Sequence, residues 1–145
     1  MSRLGRSQPF KPLIRYNQFL YTPVGIAHDA DSNAGYQAAA SSYSWSHTCT
    51  GSDRYLTVGI AMLSLAQTVT SITYNSVALT LIGVQASVSG AARVELWGLV
   101  APTTGSNTIA VTLSGSIAST GVASSYTGVH QTSPIEGFNS AQATN

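Results

Sequence analysis

From Tyr36 onward, apolar side chains alternate with serine, threonine, alanine and glycine in short runs, and turn-forming residues interrupt every run. A spacing of two puts alternate side chains on opposite faces of an extended chain, so each run predicts a half-buried strand. Tyr43, Trp45 and His47 alternate with Ser44, Ser46 and Thr48. In Tyr55 to Met62, one face carries Leu56, Val58, Ile60 and Met62. Val69 to Tyr74 and Val77 to Val84 flank a tight Asn75-Ser76 connection, and their β-branched residues favour strand over helix. Arg93 to Val100 has Val94 and Leu96 on one side and Arg93, Glu95 and Trp97 on the other. Ile109, Val111 and Leu113 alternate with Ala110, Thr112 and Ser114, and Val122 to Val129 is the last predicted strand. Residues 102–107 read as a turn, 115–121 as a loop, and 63–68 leave room for a short helical segment. Short strands with frequent turns predict an all-β fold: an antiparallel β-sandwich, jelly-roll-like, with an extended N-terminal arm.

The chain divides by composition into three parts. Residues 1–35 read as an arm and linker, 36–138 as the β-sandwich domain, and 139–145 as a polar tail. Pro9, Pro12 and Pro23 break up the first part, and its large apolar groups, from Phe10 to Tyr21, show no sustained period. Residues 28–35 (HDADSNAG) have the composition of a turn. An arm so rich in apolar groups is expected to dock on its own body or on a neighbour. Its charge is one-sided. Of the six Lys and Arg, four (Arg3, Arg6, Lys11, Arg15) fall in the first 15 positions, where there is no acid. From residue 16 on, two Arg stand against five acids, 2 − 5 = −3.

Only 8% of residues are charged while 43% are hydrophobic, against about 25% charged in an ordinary soluble domain. A membrane span does not explain this. The apolar stretches Leu56 to Leu65 and Val94 to Pro102 are interrupted and fall short of the roughly 20 residues a spanning helix needs. A surface covered by partner subunits explains it better. The N-terminus does not read as a secretory signal, because no apolar core follows its basic residues. The single cysteine, Cys49, excludes a disulfide within the chain and leaves the redox compartment open.

Signatures of catalysis are sparse. The chain has no phosphate-binding glycine loop, no HExxH and no GxSxG. His28, Asp29 and Asp31 resemble a metal pair only in composition, and a solvated turn accounts for them. His47 and Cys49 share a strand face and with His130 would supply three ligands of a Cys/His site, yet no fourth zinc ligand is evident. The simpler account makes His47 a hydrogen-bonded ring among aromatics and Cys49 an inert buried thiol. Glu95 with Arg93 is expected to form a cross-strand or solvent-facing charge pair. Five acids in all offer little to a glycosidase. The expectation is therefore a protein that is not an enzyme, with no catalytic residue, no metal and no cofactor. Two other features carry information. The basic arm suits anchoring to an acidic protein surface through Arg6, Phe10, Lys11 and Arg15 better than binding nucleic acid, which usually needs more basic groups interleaved with aromatics. Serine, threonine, glycine and alanine cost little entropy to order and suit close packing on another protein. Trp45 and Trp97 are the aromatics that could stack on a glycan, with core packing as the simpler role.

The segments 43–48 (YSWSHT), 51–59 (GSDRYLTVG), 69–80 (VTSITYNSVALT), 94–102 (VELWGLVAP) and 105–112 (GSNTIAVT) together resemble a β-sandwich module of tailed-phage virion proteins and large bacterial surface proteins. The resemblance covers about residues 36–138. The leader around 5–9 (GRSQP) is similar to those of small phage structural proteins. The resemblance implies a virion protein on the capsid surface: a decoration (cement) protein bound to the major capsid protein through its arm, stabilising the shell. It carries over no catalytic residue. Its alternative is a receptor- or glycan-binding module of a head or tail fibre. Modules of this type continue for several strands beyond the segment resembling 126–134 (YTGVHQTSP). The expectation is thus a truncated domain end, or a homo-oligomer completed by arm or strand exchange.

Overall fold

The computed structural model describes residues 25–88 and 90–141, and every regular element among them is a strand. The strands are β1 (Ala27–Cys49), β2 (Tyr55–Met62), β3 (Val69–Tyr74), β4 (Val77–Ala78), β5 (Thr80–Ala86), β6 (Arg93–Val100) and β7 (Gly105–Thr127). All pairings are antiparallel, in the order β4-β3-β7-β2-β6-β5, with β1 on the other side of β7.

β1 and β7 each run for 23 residues. Straight, either would extend about 75 Å, far beyond a body whose radius of gyration is expected near 15 Å. Both therefore bend, and they bend together. Their register jumps from Ala40↔Ile117 to Ser42↔Thr112, so β7 carries extra residues, Gly115 among them, at the fold. On β7's other side, residues up to Leu113 pair with β3 and residues from Ser119 pair with β2. One sheet thus becomes two facing layers. The first is β4-β3 with the first half of β7 and the second half of β1. The second is β5-β6-β2 with the second half of β7 and the first half of β1.

The core lies between the layers. Leu56, Val58, Ile60 and Met62 of β2 meet Ile72 and Tyr74 of β3 and Ile109, Val111 and Leu113 of β7, all buried. Each such aliphatic side chain stabilises the fold by about 1.5–3 kcal/mol. A close approach fixes the layers' spacing: a Cβ on Gly121 would lie 2.8 Å from the Trp45 ring and 3.1 Å from Ile60. Glycine stands there because the indole from the opposite layer fills the space.

The all-β antiparallel class matches the expectation, and so does the two-residue connection at Asn75-Ser76, whose φ of 48° and 65° are those of a tight hairpin turn. Five local assignments differ. Residues 105–107, read as the end of a turn, are the start of β7. Residues 28–35, read as a linker, belong to β1, because β7 pairs with them to Ala27. Residues 115–121, read as a loop, are strand. The expected strand 77–84 is broken at the buried Leu79 into β4 and β5. Residues 63–68 form bends and no helix. After β7 the chain turns at Gly128, tied by Gly128 and Val129 amides to the Ser52 and Asp53 carbonyls. It then crosses the outer face of the second layer, where Phe138 lies against Gly83.

Substituting Gly121→Ala should force the Trp45 ring or Ile60 to shift and cost about 1–3 kcal/mol. A urea titration should show a lower midpoint at unchanged slope, with an altered Trp45 emission.

Candidate functional site

The polar side chains that the sequence brings to notice gather in two places. The first is the seam where the halves of β1 face each other. The Trp45 indole N–H donates to Ser32 Oγ at 3.0 Å, and the same hydroxyl is 2.8 Å from His47 Nδ1. His47 is 2% exposed, its ring stands edge-on to Tyr74 at 6.3 Å, and its Nε2 has no hydrogen-bond partner among the described residues. Burial holds the imidazole below its ordinary value of 6.5, against the opposing pull of Asp29 and Asp31. Next to it, Tyr74 donates to the Gly105 carbonyl at 3.0 Å and accepts from Asn107 Nδ2 at 3.2 Å. Burial pushes the Tyr74 phenol up to about 12. Cys49 is fully buried, and its thiol is pushed up, chiefly by burial. A thiol held protonated is a poor nucleophile and metal ligand.

Asp29 closes the end of this seam. Its carboxylate accepts from the Thr50 amide at 2.8 Å, from the Thr50 hydroxyl, and from Ser125 Oγ at 2.8 Å. Burial works to raise its pKa, but these hydrogen bonds outweigh it and hold the carboxyl low. Asp31 bonds Ser124 Oγ and lies 3.0 Å from His28 Nε2, and those contacts hold it low as well. His28 and Asp31 therefore sit on one strand face while Asp29 turns to Thr50. His130 is exposed and accepts from the Ser133 amide. Among the described residues, no group of three or more His, Cys, Asp or Glu could hold a metal ion.

The second place is Glu95, and here the expected surface charge pair is corrected. Glu95 is 2% exposed, pointing into the core from β6. Its Oε1 accepts from Arg93 Nε at 2.7 Å and from the Val69 amide at 3.3 Å, and its Oε2 accepts from the Trp97 indole at 3.2 Å. The physical reason is that Ile60, directly opposite on β2, faces the core, so pairing register turns Glu95 inward too. The carboxylate ties β6 to the first residue of β3 across the layers. It is a fastening, with its lone pairs committed to donors.

Trp45 and Trp97 both pack against the core, with their N–H groups committed to Ser32 and Glu95. The arm residues Arg6, Phe10, Lys11 and Arg15 lie outside the described residues.

The sequence singled out its serine, threonine and alanine by composition but not their arrangement on the outer faces. On the first layer, register aligns Ser42, Ser44, Ser46 and Thr48 of β1 with Thr112, Ala110, Thr108 and Ser106 of β7, and Ser71 and Thr73 of β3 with Thr112 and Ala110. Every one of these positions is Ser, Thr or Ala, all of them exposed or half-buried. The result is a hydroxyl-bearing sheet face without a charged side chain in any paired position. The alternation was visible strand by strand; the alignment across strands was not. The second layer's outer face is more apolar: Tyr36, Val94 and Val122 are 69%, 45% and 55% exposed. No helix among the described residues is long and apolar enough to cross a membrane.

Compared with family models, with curated proteins and with solved structures, the chain has no match. The class of protein is accordingly the one its own geometry defines: an all-β antiparallel module whose buried polar groups serve the fold and whose distinctive chemistry lies on two broad outer faces.

Two outcomes follow from the polar seams. His47 binds its proton less readily folded than unfolded, so its contribution to stability is full above about pH 6.5 and declines as the pH falls below that value. The urea midpoint should drop between pH 8 and pH 5.5, and His47→Gln should flatten that slope. The Asp29 and Asp31 contributions, from carboxyls held low, are lost only as the pH falls below their ordinary 3.8, outside this window. Glu95→Ala strands the Val69 amide, the Trp97 indole and the Arg93 charge, and should cost about 3–5 kcal/mol by chemical denaturation.

Proposed function

We propose that this protein is a non-enzymatic virion structural module, a capsid decoration protein that lies on a phage shell and stabilises it by surface contact. The observation that carries this reading is the uncharged hydroxyl face of the first layer. A flat face of short side chains lets another backbone approach closely, and ordering it costs little side-chain entropy. It also lacks the charges whose desolvation makes burial expensive. On a shell, many copies act together, so a modest contact per copy accumulates into a large stabilisation of the whole. The major capsid protein is the partner in this reading, and the arm's Arg6 adds attraction to an acidic shell surface.

The sequence resemblance to phage virion modules supports the same assignment, as does the low charge of the body. The alternative, a glycan-binding fibre module, asks for indole faces open to a sugar. Trp45 and Trp97 are instead packed on the core with their N–H groups turned inward, so the geometry favours shell contact.

The test is quantitative binding of the full chain to purified, expanded capsids that lack it. Wild type should bind, and Thr108→Lys together with Ser44→Lys, which place charges in the middle of the hydroxyl face, should weaken binding by at least tenfold without unfolding the protein. Absence of binding by wild type, or undiminished binding by the double variant, would sink the reading.

A further inference from the structure

The described residues cover only half of the outer face of the second layer. The C-terminal segment crosses the β5–β6 side, with Pro134 and Ile135 near Tyr55 and Gly98, and Phe138 on Gly83. No described residue covers the β2–β7–β1 side. There, register aligns Val94, Ala61, Thr120 and Tyr36 in one row across the strands, and Leu96, Gly59, Val122 and Asn33 in the next. Leu63, 62% exposed, extends the strip at its end. A cavity of about 190 Å³, lined by Tyr36, Ala61, Leu63, Ala92 and Ala118, opens beside it with almost wholly apolar walls. Cavities somewhat smaller than this accept a benzene ring. An apolar strip with a ring-sized hole is an unusual thing to leave in water on so small a body.

We infer that residues 10–21 of this same chain occupy the strip, laying their apolar side chains along it as the C-terminal segment does on the neighbouring half. Three observations point to this occupant. The segment holds Phe10, Leu13, Ile14, Tyr16, Phe19, Leu20 and Tyr21 within a dozen positions, enough to cover the strip and put a ring in the cavity. The described chain enters on the same face, where His28 stands edge-on to Tyr126 at 5.9 Å. From Tyr126 to Thr120 along β7 is about 20 Å, and residues 10–21 span up to about 40 Å when extended, so the segment reaches every part of the strip from where it joins. Charge agrees too. Lys11 and Arg15 are the segment's only charges, and the carboxylates at this face are Asp31, at the β1 edge, and the exposed Glu136 in the C-terminal segment.

Tethering makes docking on its own body the cheaper event, since the segment's local concentration is set by a linker of three residues, Thr22 to Val24. Phe10, Lys11 and Arg15 then serve the protein's own fold, while Arg6 projects beyond the docked stretch. The inference does not depend on the capsid reading and is tested without a shell.

The experiment uses the full chain with Val122→Cys combined in turn with Leu13→Cys, Ile14→Cys and Tyr16→Cys, under mild oxidation. The native Cys49 is fully buried. At least one pair should give a faster-migrating monomer on a non-reducing gel, reversed by reductant, while the same partners with Thr108→Cys on the opposite face should give none. Disulfide-linked dimers in place of the compact monomer would overturn the inference by placing the segment on a second copy. So would equal cross-linking at both faces, or none at all. In the otherwise unaltered full chain, Val122→Asp should raise the fluorescence of a hydrophobic dye several-fold as the segment is released. Unchanged dye binding would count equally against it.

Discussion

The fold depends on one constraint: two 23-residue strands paired along their whole length must fit into a body too small to hold them straight. The β1–β7 ribbon satisfies it by folding over near Ala40 and Ile117. Once it folds, each half of β7 offers a free edge to a different strand, β3 before the bend and β2 after it. The two layers, their separation and the core between them all follow. The bend also explains the small residues around it. A bulge that carries several unpaired positions increases twist locally and needs side chains that do not obstruct it, and Gly115, Ser114 and Ser116 meet that need.

Folding the ribbon brings the two halves of β1 face to face, and what they share is polar. Ser32 from one half meets Trp45 and His47 from the other, while Asp29 reaches across to Thr50. A purely apolar seam would tolerate sliding. Hydrogen bonds with fixed partners do not, because a slip of one residue would leave buried donors and acceptors unmatched. Glu95 does the same at the other side of the body, where a single carboxylate is shared by Arg93, Trp97 and the Val69 amide. The long edge of β1 is protected as well: four register irregularities interrupt it between His28 and Ser42, and irregular edges are poor templates for a stray strand.

Much of this was legible in the sequence. The run Leu56, Val58, Ile60, Met62 declares both a strand and its buried face, because β-branched and long aliphatic residues alternate with Thr, Gly and Ala. The first half of β1 declares neither. Its Asp, Asn, Ala and Gly have low strand preference, and they are extended because β7 pairs with them, a fact that lies nearly a hundred positions away. Glu95 shows a second limit. Alternation says that Arg93, Glu95 and Trp97 share a side, but not whether that side is inside; pairing with β2 decides it. The hydroxyl face is a third case. Ser44, Thr73 and Ala110 each look like ordinary surface residues, and only register reveals that they form one surface. The exposed apolar strip was hidden for the same reason, with Tyr36, Ala61, Val94 and Val122 drawn from four strands.

The scarcity of charge then has a structural explanation on both sides of the molecule. A domain that meets only water gains solubility from charged faces and loses nothing by carrying them. Here the charges of the described body are mostly confined to the end where β1 begins and the 50–54 turn closes, or are neutralised in place as Arg93 and Glu95 are. The hydroxyl face is left neutral, and the apolar face carries carboxylates only at its margins, Asp31 and Glu136. That partition is what surfaces destined for contact require, since each charge buried there would have to be matched or would resist burial. The two faces differ in the contact they favour. An apolar strip with a ring-sized cavity rewards large side chains such as those of residues 10–21, whereas a field of hydroxyls rewards close approach by a flat polar surface. If residues 10–21 cover the first, as we infer, the second is left free for the shell contact we propose.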